Sequence, residues 1–207
     1  MWLRFLALAL GVVAVAALVA SGPGTRLGLW DWRAGLGLLR YAAYLGIAAC
    51  AASLAGLLLP RVRRKSLAIS LLLGFAALAP PLFLLQQASS FPPINDIATD
   101  SESAAQRRAY PDIQPILSAQ PRDRAFQQAL VAAEAVGWEI VTLEPQAGRI
   151  EAVDTTAWFG FKDDVVVRVA EVPGGSRIDV RSKSRVGRGD AGTNAKRIRE
   201  FRAKLAK

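Results

Sequence analysis

The sequence predicts an α+β protein in two parts: three N-terminal transmembrane helices, followed by an α-β-β-β-β-α domain with an antiparallel sheet. Three observations predict it. Near residue 90 the composition changes from long Leu/Ala/Val/Gly runs to mixed polar and apolar sequence. Before that change lie three apolar runs, each of the length that crosses a hydrocarbon core of roughly 30 Å as a helix. After it, four segments alternate with period two between two stretches of helical period. The expected boundaries are a membrane domain over 1–85, a linker over 86–120 and the α+β domain over 121–207.

The first apolar run, Leu3 to Ala20, is broken only by Arg4. One basic residue ahead of an apolar stretch that ends in small residues fits a retained helix or a cleaved signal. Gly35 to Leu59 and Ser66 to Leu85 are the second and third runs. "RVRRK", residues 61–65, joins them with four positive charges, so this short loop is expected in the cytoplasm. From Gln86 through Gln106 there is no Lys or Arg, while Asp96, Asp100 and Glu102 occur. The third helix therefore runs outward. The N-terminus is expected in the cytoplasm and the C-terminal domain on the extracytoplasmic (periplasmic) side of a bacterial cytoplasmic membrane.

Trp30 and Trp32 in "LWDW" stand where aromatic belts form. Arg40, near the start of its run, is expected to snorkel to the interface. Pro80-Pro81 is expected to kink the third helix or end it early. Gly46, Ala49, Ser53 and Gly56 form a small-residue series that permits close helix packing.

The formal charge of +9 is unevenly distributed. Residues 1–90 carry eight Lys/Arg and one Asp, so most of the excess flanks the apolar runs and does not point to nucleic acid. There is no histidine, and the one cysteine, Cys50, lies in an apolar run. His-based triads and Cys/His zinc sites are excluded, and neither a metal nor a cofactor is expected.

Residues 86–120, rich in Pro, Ser, Ala and Gln, show no sustained periodicity and read as an extended linker with room for partial order. "RDRAFQQALVAAEAVG" places Phe126, Ala129, Leu130, Ala133 and Val136 at helical spacing, with Gly137 as its stop. Trp138–Leu143, Arg149–Thr156, Asp163–Glu171 and Arg177–Ser184 read as strands, with "EPQAG" and "VPGGS" as hairpin turns. Val165, Val167 and Val169 share one face, as do Ile178 and Val180. The final helix carries Ile198, Phe201 and Leu205 on one stripe.

"GRGDAG", residues 187–192, matches G-x-G-x-x-G and contains an Arg-Gly-Asp tripeptide. A dinucleotide site requires a βαβ unit, and here the helix is followed by no further strand, so no nucleotide cofactor is expected. The tripeptide in a Gly-rich basic turn needs no special cause.

Two stretches carry the candidate binding residues. Residues 91–174 are acidic, with seven Lys/Arg against thirteen Asp/Glu, and residues 175–207 are basic, with eleven against three. Arg181, Lys183 and Arg185 alternate on one strand face, and Arg188, Asn194, Lys196 and Arg197 surround a helix start where free N–H groups favour anions. The alternative is a solvated face that pairs with the domain's own acidic half. In "DTTAWFGFKDD", Trp158, Phe159 and Phe161 crowd Gly160 ahead of Lys162, Asp163 and Asp164. Asp154, Asp163 and Asp164 would suit a hard cation or acid–base work if they gathered, although adjacent strand residues point to opposite faces. The other reading is a structural aromatic corner.

At "GWEIVTLEPQAGRIEAVDTTAWFGFKDDVVVRV" and "RIDVRSKSRVGRGDAGTNAKRIREF" the chain resembles the uncharacterised bacterial domain-of-unknown-function family 1499. The resemblance covers roughly residues 91–207 and includes proteins with apolar N-terminal segments. It implies no activity and no catalytic residues. Asn95 stands where the resemblance leads one to expect a histidine.

The expected function is a membrane-anchored accessory or binding module of the cell envelope, whose basic edge contacts an anionic lipid, polymer or partner protein. The alternatives are a carboxylate-dependent envelope hydrolase using Asp163 or Asp164 with Lys162, and a structural subunit that meets a membrane partner through its helices.

Overall fold

The computed structural model describes residues 2–58 and 64–205. The chain forms two compact units. One is helical, runs through Gln87 and takes in Ala157–Gly160; the other comprises Ala88–Thr156 and the chain from Phe161 onward.

The helical unit consists of α1 (Trp2–Arg26), α2 (Trp32–Leu57) and α3 (Arg64–Ser90). All three are long and apolar enough to cross a membrane. The Asp31 carboxylate caps α2, accepting from the N–H groups of Arg33 at 2.7 Å and Ala34 at 2.9 Å. Pro80 and Pro81 lie inside α3, which continues to Ser90, so the early exit expected there does not occur. Of the basic loop at 61–65, residues 61–63 lie outside the described residues, while Arg64 and Lys65 open α3.

Within this unit α2 buries Gly46, Ala49, Ser53 and Gly56. Ser53 Oγ donates to Ala49 O at 2.7 Å and lies 2.9 Å from Ser70 Oγ of α3. A Cβ placed on Gly46 would stand 2.8 Å from Gly74 O. Lipid offers helices no hydrophobic gain on association, so close backbone approach carries their packing. The small-residue series is thus used inside the chain, between α2 and α3. The same unit holds the Trp158 ring against Gly22, and Arg26 Nη1 donates to Ala157 O at 2.6 Å.

The second unit is built on six antiparallel strands: β1 (Asp96–Ala98), β2 (Ile116–Ser118), β3 (Glu139–Glu144), β4 (Arg149–Thr155), β5 (Lys162–Val172) and β6 (Gly175–Ser184). Their order is β1-β6-β5-β4-β3, and β2 pairs with a separate part of β6. The expected strands and hairpins are present, shifted by a residue or two at their ends. Ile150, Val165, Val167, Val169, Ile178 and Val180 form the floor of the core. Phe126 and Ala129 of α5 (Arg122–Ala135) and Ile198 and Phe201 of α6 (Thr193–Leu205) cover it. Trp138 stacks on Phe201 with ring centroids 5.2 Å apart.

Segment 86–120, expected as a linker, supplies β1, β2 and the short helix α4 (Ala104–Ala109). Three-residue strands leave no countable alternation. They form because β6 offers them partners, with Asp96 opposite Lys183 and Ile116 opposite Ile178. Ile97, Tyr110 and Ile113 from this segment are buried in the core.

Candidate functional site

The core face of the sheet changes character at one end. Going toward that end, β4 presents Ile150, Ala152 and Asp154; β5 presents Val169, Val167, Val165 and Asp163; β6 presents Ile178, Val180, Ser182 and Ser184. Register brings Asp163 opposite both Asp154 and Ser184. From above, α6 places Asn194 and Arg197, one turn apart, over this polar patch.

Arg197 is 3% exposed and fully engaged. Its Nε donates to Asp154 Oδ2 at 2.6 Å and its Nη2 to Asp163 Oδ2 at 2.8 Å. Its Nη1 donates to Ser182 Oγ at 2.8 Å and to Asn194 Oδ1 at 2.6 Å. Asn194 Nδ2 in turn donates to Ser184 Oγ at 3.0 Å and to Asn95 O at 3.1 Å. A buried charge pair is tolerated only when such additional bonds satisfy its remaining atoms. The sequence placed Asn194, Arg197 and Asp163 among candidate ligand contacts; the fold joins all three in one buried network. Asp164, next in the chain, lies on the opposite face, so Asp154, Asp163 and Asp164 do not gather. Among the described residues no group of three or more His, Cys, Asp or Glu is arranged to hold a metal.

The start of α6, where an anion is expected from the free N–H groups, receives one from the protein itself. Asp190 Oδ1 accepts from Gly192 N at 2.9 Å and Oδ2 from Asn194 N at 2.7 Å. The GRGDAG segment is thereby a capping loop, in which Gly187, Ala191 and Gly192 adopt positive φ. Asn95 Nδ2 ties it to β1 by donating to Gly187 O at 2.7 Å.

On the opposite sheet face the strand-borne cations have carboxylate partners. Arg181 holds Asp96 bidentately, at 2.8 and 2.5 Å, and Arg185 holds Asp164, at 3.0 and 2.7 Å. The Arg181 hydrogen bonds hold the Asp96 carboxyl below its ordinary range. Asp96 and Asp164 in return raise the Arg181 and Arg185 guanidiniums. Lys183 Nζ stands 4.0 Å from the Asp96 carboxylate that Arg181 already occupies, and Lys196 pairs with Glu200 at 3.7 Å. Lys162 and Arg188 are exposed and make no ion pair among the described residues. Of the aromatic corner, Trp158 is 46% exposed and Phe159 8%. The turn carrying them closes when Thr156 N donates to Phe161 O at 2.8 Å and Phe161 N donates to Thr156 Oγ1 at 2.9 Å.

Sequence reasoning missed Ser182, Ser184 and Asp190. A signal for the two serines exists: three neighbouring strands each continue an apolar alternation into a polar residue on the same face. Asp190 precedes the Gly192 that stands directly before the first helical residue, so the ordinary N-cap position does not point to it.

No curated protein and no solved structure matches the chain. Residues 86–205, from the end of α3 to the end of α6, match one family description, and by that match the chain belongs to the family "Protein of unknown function (DUF1499)".

Proposed function

We propose that this chain is a membrane-anchored binding module. Its helices fix the α+β domain outside the cytoplasm, and one end of the sheet contacts an anionic lipid headgroup or envelope polymer. The orientation rests on the charge asymmetry of the sequence: Arg61 and Arg63 precede the third span and Arg64 and Lys65 open it, against no Lys or Arg from Gln86 through Gln106. Five residues join Ser90 of α3 to Asp96 of β1, a reach of at most about 20 Å, so the domain stays within reach of the bilayer surface.

The observation that carries the binding reading is the selective pairing of the cations. Arg181, Arg185 and Arg197 are spoken for by Asp96, Asp164 and the buried carboxylates. Lys162 and Arg188 make no ion pair among the described residues, and Lys183 only shares, at 4.0 Å, the Asp96 carboxylate that Arg181 already holds. These three, at the end of the sheet where β5 begins and β6 ends, keep exposed charges for an external anion. Each cation near an anionic surface adds roughly 1 kcal/mol.

The test compares the full chain in nanodiscs of neutral lipid and in nanodiscs with added phosphatidylglycerol. Hydrogen exchange of residues 185–192 is expected to slow in the anionic discs, with the protection lost at high salt and in a Lys162→Gln, Lys183→Gln, Arg188→Gln triple variant. Equal exchange in both discs contradicts the binding reading.

A further inference from the structure

A cleft of about 340 Å³ opens on the sheet face away from α5 and α6, between the segment around α4 and strands β5 and β6. Asp96, Asp100, Val166, Arg168, Asp179 and Arg181 line it, and its size is that of a small-molecule site. Most of these charges are committed. Asp96 is held by Arg181, and Asp179 accepts from Arg177 Nε at 2.8 Å and from the Thr99 hydroxyl at 3.1 Å. Thr99 is itself fixed, accepting from Val180 N at 2.9 Å.

Two lining charges remain. Arg168 and Asp100 are exposed and form no ion pair among the described residues. The position of Arg168 makes this notable. Register sets it between Arg149 on β4 and Asp179 on β6, but Arg149 is bound to Glu151 and Asp179 to Arg177. Arg168 thus faces a like charge on one side and, on the other, a carboxylate that it shares with Arg177. The lining as a whole carries three carboxylates against two guanidiniums, which disfavours a purely anionic ligand.

We propose that this cleft binds a small zwitterion, its phosphate or carboxylate on Arg168 and its primary ammonium near Asp100, lying across Val166. A guanidinium presents two parallel donors to a phosphate, and an exposed carboxylate accepts from an ammonium. Aminoethyl phosphate, as a lipid headgroup or as a free phosphodiester, has this chemistry. The proposal uses neither the membrane orientation nor Lys162, Lys183 and Arg188, so it stands or falls separately from the anionic-surface reading.

The full chain in nonionic detergent is titrated with glycerophosphoethanolamine, followed by calorimetry. Saturable binding is expected, with glycerol phosphate and ethanolamine each binding about tenfold or more weakly. Arg168→Gln is expected to weaken glycerophosphoethanolamine about tenfold and leave ethanolamine unchanged. Asp100→Asn reverses that pattern, leaving glycerol phosphate unweakened, and Arg168→Lys retains part of the affinity. Both positions are exposed, and unchanged melting temperatures identify the losses as losses of contact. Repetition in phosphatidylethanolamine nanodiscs separates the sources: lost binding of the free probe identifies the headgroup as occupant, and retained binding a soluble ligand, each consistent with the proposal. Absence of saturable binding, or binding of glycerophosphoethanolamine by the folded Arg168→Gln and Asp100→Asn variants as tight as that of the parent chain, overturns it.

Discussion

Arg197 Nη2 donates to Asp163 Oδ2 at 2.8 Å, and each side chain is 4% exposed. This pair ties the last helix to the middle strand of the sheet, and Asp154, Ser182 and Asn194 complete its hydrogen bonding. Arg197→Ala therefore strands the Asp163 charge in the interior. The expected cost is about 3–5 kcal/mol, read as a fall in the denaturant midpoint. An Arg197→Met, Asp163→Asn, Asp154→Asn variant is expected to recover much of it, since charge and partner leave together. A loss below about 1 kcal/mol in the single variant would show the network to be dispensable.

Asp190 acts just ahead of the same helix, which begins at Thr193. Its carboxylate accepts the Gly192 and Asn194 N–H groups, so Asp190→Ala is expected to destabilise the domain by about 1 kcal/mol. Asp190→Asn keeps an acceptor and should cost less. Equal melting temperatures for Asp190→Ala and the parent chain would remove the capping role.

Much of the fold is written in local periodicity, and the parts that are not owe their form to tertiary partners. The three apolar runs and the Val165/Val167/Val169 alternation are signals that neighbours do not alter. β1 and β2 are three residues each and exist because β6 presents its edge to them. The candidate site was legible in composition more than in arrangement. An excess of arginine after residue 175 is visible in the sequence, whereas the carboxylate each arginine meets depends on strand register. Arg181 finds Asp96 across 85 residues, and Arg197 finds Asp163 across 34.

Acid should loosen the first strand before the core. Arg181 lowers the Asp96 pKa and Arg199 lowers that of Asp112, both from a value of 3.8. Stabilisation from these carboxylates is fully present above that unfolded value and is lost as pH falls below it through the lower folded values. Hydrogen exchange at 96–99 is expected to quicken across that window, relative to β5. Asp96→Asn should show the faster exchange at neutral pH and little further acid dependence. Acid-insensitive protection at 96–99 in the parent chain would show that the Arg181–Asp96 pair does not hold β1.

The α2–α3 contact leaves no room at Gly46, whose added Cβ would stand 2.8 Å from Gly74 O. Gly46→Leu is expected to separate the helices, lowering the melting temperature in detergent and speeding alkylation of Cys50. That thiol lies on α2, with Sγ 3.8 Å from Leu71 O. Unchanged melting and unchanged Cys50 reactivity would show that the small-residue series does not pack the helices.

Display of the domain outside the cytoplasm is the core of the proposed function, and labelling at Lys204 tests it. This residue is exposed in the last turn of α6, and Cys50 is the chain's one cysteine, so Lys204→Cys in a Cys50→Ser background carries a single reactive thiol. A membrane-impermeant maleimide is applied to bacterial cells whose outer barrier is opened and whose cytoplasmic membrane is intact. Labelling without lysis is expected. Labelling only after the cytoplasmic membrane is broken would place the domain in the cytoplasm and contradict it.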